Sequence, residues 1–279
     1  MYLVFDIGGT TMRLAISRDG KTFSSTRSTN TPQDFAEAIS VFGVLAKELA
    51  GGEKIKACAG GVAGPLDKER QMILKSPNLS DWSGKLLRQS LEDVVGVPVT
   101  LLSDAVAAGI GEAMYGAARG EKIVAYITVS TGVGGARIVD GQAEEATTGF
   151  EPGHQIIVPD GLLCGCGGKG HLESYVSGSG FKRRFGCDPR EVIDERGWDS
   201  AARMLALGLH NTAMHWMPEV FVLGGSMILG NPSISVDRIS EYLKEFSTIL
   251  PAPRVLKAML DDRSGLYGAL SVCTAELVI

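Results

Sequence analysis

The amino-acid sequence predicts an α/β protein made of two related domains, each with a mixed sheet, facing a central cleft. Three observations predict this. A short apolar strand, a glycine turn and a returning strand occur at residues 2–17 and again at 123–139, the mark of an internal duplication. Stretches with helical spacing alternate with strand-like runs through the rest of the chain. The 279 residues include 36 glycines, about 13% where about 7% is usual, and most sit in clusters where backbone must come close to a neighbour or a ligand.

The elements follow in order. Tyr2 to Phe5 reads as a buried strand running into Asp6, Gly8-Gly9-Thr10-Thr11 as a turn, and Met12 to Ser17 with Phe23 to Ser25 as the returning strands of a hairpin. Within Pro32 to Leu49, Phe35, Ala38, Ile39, Phe42, Leu45, Ala46 and Leu49 recur at helical spacing. Ile55 to Gly61 is a strand, and Leu86 to Val95 a helix stopped by Gly96 and Pro98. Val97 to Leu102 is a strand leading into Ser103-Asp104, and Ala105 to Tyr115 a helix. The theme restarts with the strand Ile123 to Val129, the turn Ser130-Thr131-Gly132-Val133-Gly134-Gly135, and the strand Ala136 to Val139 before an Asp140-Gly141 hairpin turn. Ser200 to Trp216 is a helix and Val220 to Leu223 a strand, followed by the turn Gly224-Gly225-Ser226. Ile239 to Phe246 and Ser264 to Val278 are helical.

Composition excludes several function classes. The net charge of −5 and the absence of a basic run argue against a nucleic-acid or anionic-membrane binder. No uncharged stretch reaches the ~18 clean apolar residues of a membrane span. The first charge is the acid Asp6, which does not suit a signal peptide, so a cytoplasmic location is expected. Five cysteines do not suggest a secreted disulfide scaffold, and the Cys164-Gly-Cys166 pair reads as a metal site or a buried thiol.

Asp6-Ile-Gly8-Gly9-Thr10-Thr11 follows a strand. Small residues there let backbone N–H groups and hydroxyls reach a phosphate, and the acid before them can hold magnesium through water. The segment lacks the Gly-Lys-Ser/Thr of a Walker A loop, and it opens a strand and not the helix of a dinucleotide fingerprint. The turn at Ser130 to Gly135 repeats it in the second half. Two such turns suit a nucleoside triphosphate held between domains, and Gly224-Gly225-Ser226 suits its adenosine.

The combination resembles the ROK family of sugar kinases and sugar-sensing repressors, over nearly the whole chain. Glu151-Pro-Gly153-His154 followed by Cys164-Gly-Cys166-Gly-Gly-Lys-Gly-His171-Leu-Glu173 is similar to the family's Glu-x-Gly-His and Cys-Gly-Cys-Gly-x-x-Gly-Cys-x-Glu. Supporting matches are Gly61-Val-Ala-Gly64-Pro65, Ser76-Pro77-Asn78-Leu79, Asp104, Val222-Leu-Gly-Gly-Ser226 and Gly265-Leu-Tyr-Gly268-Ala269. The resemblance implies two actin-like (ribonuclease H-like) domains. Residues 1–106 would form the smaller, completed by the C-terminal helix 264–279, and residues 107–263 the larger, with a zinc loop.

For chemistry, the resemblance implies transfer of the γ-phosphoryl of magnesium-ATP to a hexose hydroxyl. Asp104 matches the base that accepts the hydroxyl proton. Glu151, His154 and Glu173 match sugar-contacting residues, with Ser103, Asn78 and Gly61 as further sugar-side candidates. Thr10, Thr11, Gly8, Gly9, Thr131, Gly132, Gly134, Gly224 and Gly225 would meet ATP and its phosphates, and Asp6 would steady magnesium. His154, Cys164, Cys166 and His171 offer four zinc ligands within 18 residues, a closed tetrahedral and therefore structural set. A homodimer or larger homo-oligomer is also implied.

The chain departs from the family pattern in several places. Ser103 stands where Asn is usual, Thr11 where a longer residue is common, Ser130 and Ala136 where glycine is usual, and His171 where Cys is usual. The leading expectation is a glucokinase-like enzyme. A kinase for fructose, N-acetylglucosamine or N-acetylmannosamine uses the same acids. A non-catalytic sugar sensor is the alternative of another class. With the first strand expected at Tyr2, the helix-turn-helix of the family's repressors is not expected.

Overall fold

The structure is a computed structural model. It describes the whole chain except residues 75, 77, 78, 145–148 and 276–279. The chain divides into two compact units, one running over Met1–Met114 and returning from Asp262 onward, the other holding Tyr115–Glu144 and Phe150–Asp261.

The first unit carries β1 (Tyr2–Ile7), β2 (Thr11–Ser17), β3 (Ser25–Asn30), α1 (Phe35–Ala50), β4 (Ala57–Val62), α2 (Leu87–Val95), β5 (Val99–Ser103) and α3 (Asp104–Met114). Its sheet has the order β3-β2-β1-β4-β5. β1 pairs antiparallel with β2 and parallel with β4. Successive β1 side chains point to opposite faces, and both faces are covered, so the strand reads as an unbroken apolar run. Leu3, Phe5 and Ile7 join Met12, Phe42 and Leu91 on one face. Val4, Ala15 and Ala59 meet Leu266, Ala269 and Cys273 on the other.

The second unit carries β6 (Ile123–Val129), β7 (Val133–Val139), β8 (Gln142–Ala143), α4 (Glu173–Val176), α5 (Gly178–Phe185), α6 (Glu195–Trp216), β9 (Val220–Gly224), α7 (Ser226–Leu229), α8 (Val236–Phe246) and β10 (Arg254–Lys257). Its sheet runs β10-β9-β6-β7-β8, the order of the first sheet with each strand replaced by its counterpart. β6 pairs antiparallel with β7 and parallel with β9, as β1 does with β2 and β4. The repeat expected at 2–17 and 123–139 is therefore the central hairpin of each sheet. Asp140 and Gly141 close the β7–β8 hairpin with both residues at positive φ, 51° and 77°, as a type I′ turn requires.

The last helix, α9 (Ser264–Ala275), lies in the first unit and packs on α3. The part of the expected segment beyond Ala275 lies outside the described residues. The division falls after Met114 and not at residue 106. The buried residues Ala107 and Gly111 of α3 face α9, which keeps the whole helix with the first sheet.

That crossing is close. A methyl on Gly268 would overlap the Ala107 carbonyl oxygen, and one on Gly111 would overlap the Ser264 carbonyl oxygen. Backbone cannot step aside as a side chain can. Gly268→Ala is therefore expected to destabilise the protein by about 1–3 kcal/mol, read as a lowered denaturation midpoint. An unchanged midpoint would show that the helices separate freely.

Three expectations are corrected. The third strand is Ser25–Asn30 and not Phe23 to Ser25. Its sequence, Ser-Thr-Arg-Ser-Thr-Asn, has no apolar alternation, and backbone pairing with β2 defines it. Phe23 instead lies against Tyr267 of α9, with ring centroids 4.6 Å apart. The strand after the second glycine turn starts at Val133 and not Ala136, and β10 was not foreseen. The long helix begins at Glu195 and not Ser200, because the Asp194 side chain accepts the Arg196 N–H and caps it.

Candidate active-site residues

In the first unit, the β1–β2 turn is closed by the Gly8 N–H donating to the Thr11 carbonyl at 2.9 Å. The Thr31 hydroxyl donates to the Gly8 carbonyl at 2.7 Å, and Gln33 Nε2 donates to that of Gly9 at 3.2 Å. With its backbone so held, the turn leaves the Thr10 side chain exposed.

Asp6 stands opposite Arg13 in the hairpin register. Arg13 Nη1 lies 3.5 Å from Asp6 Oδ2, and its Nη2 lies 3.2 Å from Asp262 Oδ2. Burial pushes the Asp6 carboxyl up to about 6. The negative charge of Asp104 adds to this, and Arg13 opposes it. Arg13 was not singled out from sequence. A lone cation inside the apolar run Met12-Arg13-Leu14 was the available signal.

Asp104 opens α3 directly after β5, a rigid junction. Its Oδ1 accepts the Ala105 N–H at 2.7 Å. The carboxyl remains open to solvent at its surface but is densely surrounded by protein, and this loss of surrounding water raises its pKa. Ser103 Oγ accepts the Val106 N–H at 3.3 Å, so its hydroxyl serves as a helix cap. Gly61 sits in β4 between the two acids, where an added Cβ would lie 3.3 Å from Asp104 Cα and 3.6 Å from Asp6 Oδ1. The remaining sugar-side candidate of this unit, Asn78, lies outside the described residues.

In the second unit, the β6–β7 turn is closed by the Ser130 N–H donating to the Gly132 carbonyl at 2.9 Å. Thr131 is exposed at its tip. Gly134 belongs to β7, opposite Thr128, and so lies beyond the turn. Ser130 Oγ is 3.1 Å from Ser226 Oγ, which brings the second and third glycine turns together. Gly224 is the last residue of β9 and is buried against Tyr126, while Gly225 takes a φ of 88° beside the Val129 backbone.

His154, Cys164, Cys166 and His171 converge, with one donor atom from each lying within 4.8 Å of all the others. Cys166 Sγ is 3.2 Å from His171 Nδ1, and Cys164 Sγ is 4.0 Å from His154 Nδ1. A tetrahedral zinc with its usual bond lengths needs donor separations of about 3.3–3.8 Å, so these four residues would close on one with shifts of about 1 Å or less. The loop is held by the Cys164 N–H on the Gly168 carbonyl at 2.7 Å and by the Gly170 N–H on that of Leu162 at 2.8 Å. His171 substitutes for cysteine by presenting Nδ1, its ring nitrogen nearest the backbone. The ring lies over Gly168, where any side chain would collide with it.

His154 turns Nδ1 toward the cluster, which leaves Nε2 on its other side, 4.0 Å from Glu151 Oε2. Glu173 Oε2 accepts the Val133 N–H at 3.0 Å, and its Oε1 lies 3.7 Å from Cys164 Sγ. Glu151 and Glu173 thus lie beside the metal-type cluster to which His154 belongs, with Glu151 exposed.

Two copies of one five-stranded mixed sheet, each with a glycine turn between its central antiparallel strands, define a protein of the actin-like phosphotransferase class. The family model described as ROK family matches residues 2–276, and the chain belongs to the ROK family. The glucokinase of Thermotoga maritima is 32% identical over 309 residues, spanning 96% of this chain and 95% of its own. The crystal structure of a ROK hexokinase from Thermus thermophilus matches with a TM-score of 0.90 at 30% identity, covering 99% of each chain. That of a ROK family glucokinase from Streptomyces griseus, in complex with glucose and AMPPNP, matches with a TM-score of 0.80 at 27% identity, covering 98% of this chain and 99% of that one.

Proposed function

We propose that this ATP-dependent sugar kinase is glucokinase-like, transferring the γ-phosphoryl group of ATP to a hydroxyl of glucose. The observation that carries the reading is His154. One ring nitrogen faces the Cys/His cluster, and the other stands beside the Glu151 carboxylate. A histidine so fixed has a set tautomer and orientation, which is what discrimination among sugar hydroxyls needs.

A sugar hydroxyl is a poor nucleophile until its proton has somewhere to go. Asp104 accepts that proton as attack on the γ-phosphorus proceeds, and its raised pKa makes it a stronger base than an ordinary carboxylate. Glu151 and Glu173 accept hydrogen bonds from neighbouring hydroxyls, and His154 Nε2 meets another. Thr10, Thr11, Thr131 and the backbone of the two turns at Gly8-Gly9 and Gly132 hold the phosphates. Asp6 would steady the magnesium that accompanies ATP, which would supply neutralisation of phosphate charge during transfer. His154, Cys164, Cys166 and His171 would hold zinc, and four protein donors would make its role structural.

ADP release from magnesium-ATP, measured against glucose, mannose, fructose, N-acetylglucosamine and N-acetylmannosamine, tests the reading. Glucose is expected to give the highest kcat/KM. Preference for another sugar would reassign the acceptor, and no turnover with any of the five would overturn the glucokinase assignment.

A further inference from the structure

Both carboxylate oxygens of Glu173 are engaged within the second unit. Oε2 accepts the N–H of Val133, the first residue of β7, at 3.0 Å. Oε1 lies 3.7 Å from Cys164 Sγ, a donor of the four-residue cluster. Gly132 makes room for this, since a methyl there would stand 2.7 Å from Oε2. Two main-chain bonds stitch the same stretch to the same turn. The Gly178 N–H donates to the Ser130 carbonyl at 2.7 Å, and the Ser179 N–H donates to that of Thr131 at 3.1 Å. The β6–β7 turn therefore hangs on residues 173–179 at three points. Along the chain, that segment begins two residues after the cluster donor His171.

We propose that Glu173 is a positioning residue for the β6–β7 turn, tying the metal loop to the backbone that receives the donor phosphates. A carboxylate accepting a backbone N–H makes a charge-assisted bond, roughly twice as strong as a neutral one. That bond sets the start of β7, and the two main-chain bonds set Ser130 and Thr131. Under the kinase reading, on which the nucleotide part of this inference rests, Glu173 serves the phosphate donor as well as the acceptor sugar. Loss of the cluster's metal then loosens the donor turn.

Two measurements test this. The first needs no nucleotide: amide hydrogen exchange at Val133 in the wild-type protein, in Glu173→Gln, in Glu173→Ala and in metal-stripped wild type. Exchange is expected to quicken about tenfold in Glu173→Ala and in the stripped protein. In Glu173→Gln it should fall between wild type and Glu173→Ala, because the amide oxygen still accepts the bond but carries no charge. Wild-type protection of Val133 in Glu173→Ala overturns the proposal. If Glu173→Ala fails to fold, the stripped wild-type protein decides in its place, and unchanged protection there overturns the tie to the metal loop.

The second measurement is calorimetric binding of magnesium-AMPPNP without sugar. Affinity should fall about tenfold in Glu173→Ala and be partly rescued by Glu173→Gln, while glucose affinity falls in both. Equal nucleotide affinity in Glu173→Ala and wild type would reduce Glu173 to a sugar contact and overturn the donor role. A wild-type protein that binds no AMPPNP would count against the kinase reading, and exchange at Val133 would still judge the tie.

Discussion

Asp104→Asn is expected to lower kcat about a thousandfold while leaving the fold and glucose binding in place. General-base catalysis contributes about 10²–10⁴ in rate, and the amide cannot take the hydroxyl proton. The substitution is nearly isosteric, and its amide oxygen still accepts the Ala105 N–H that Asp104 Oδ1 accepts at 2.7 Å. Steady-state kinetics beside glucose calorimetry checks it. A variant that retains a tenth of the wild-type rate would remove Asp104 from the role of base.

The same residue sets a pH dependence. Its pKa is raised by the loss of surrounding water, so the wild-type rate should fall with decreasing pH through a limb above the ordinary carboxylate range. For stability the sign is opposite to that of a salt-bridged carboxylate. The folded state holds this proton more tightly than the unfolded chain. The Asp104 contribution therefore declines as pH rises from the unfolded value near 3.9 through the raised folded value. Asp104→Asn removes that pH dependence.

The second large effect concerns the cluster. One zinc per chain is expected by metal analysis, and Cys164→Ser should abolish it, since the buried Cys164 would supply one of the four donors. A ligand that binds only the folded state stabilises it by about 4 kcal/mol when present a thousandfold above its Kd. The melting point should therefore fall by roughly 10 °C in the variant, and a chelator should reproduce the loss in wild type. Glucose affinity should fall with it, because His154 loses the group that orients its ring. Protein that carries no zinc, with a melting point indifferent to chelator, would leave the four residues as a hydrogen-bonded loop.

Much of this could be read before any fold was known. The strand Ile123–Val129 has the expected bounds because seven apolar or β-branched residues are flanked by a lysine and a glycine turn. The donors at 154, 164, 166 and 171 stood out by residue type and spacing, and Asp104 by its place between a strand and a helix. Each of these signals is local, carried by side chains within 18 residues of one another.

What the tertiary structure alone decided is carried by backbone and by distance along the chain. β3 is recognised by its pairing with β2, since Ser-Thr-Arg-Ser-Thr-Asn has no pattern for burial to impose. Arg13 becomes the partner of Asp6 only when the hairpin register sets them opposite each other. His171 reaches the cluster because Gly168 leaves room for its ring. Glu173 meets Val133 across 40 residues, a contact that folding makes and spacing cannot show. Residue types and spacing told which groups are present and what each can do. Register, clearance and long-range backbone bonds decided which of them act on one another, because those depend on where the sheet brings distant segments together.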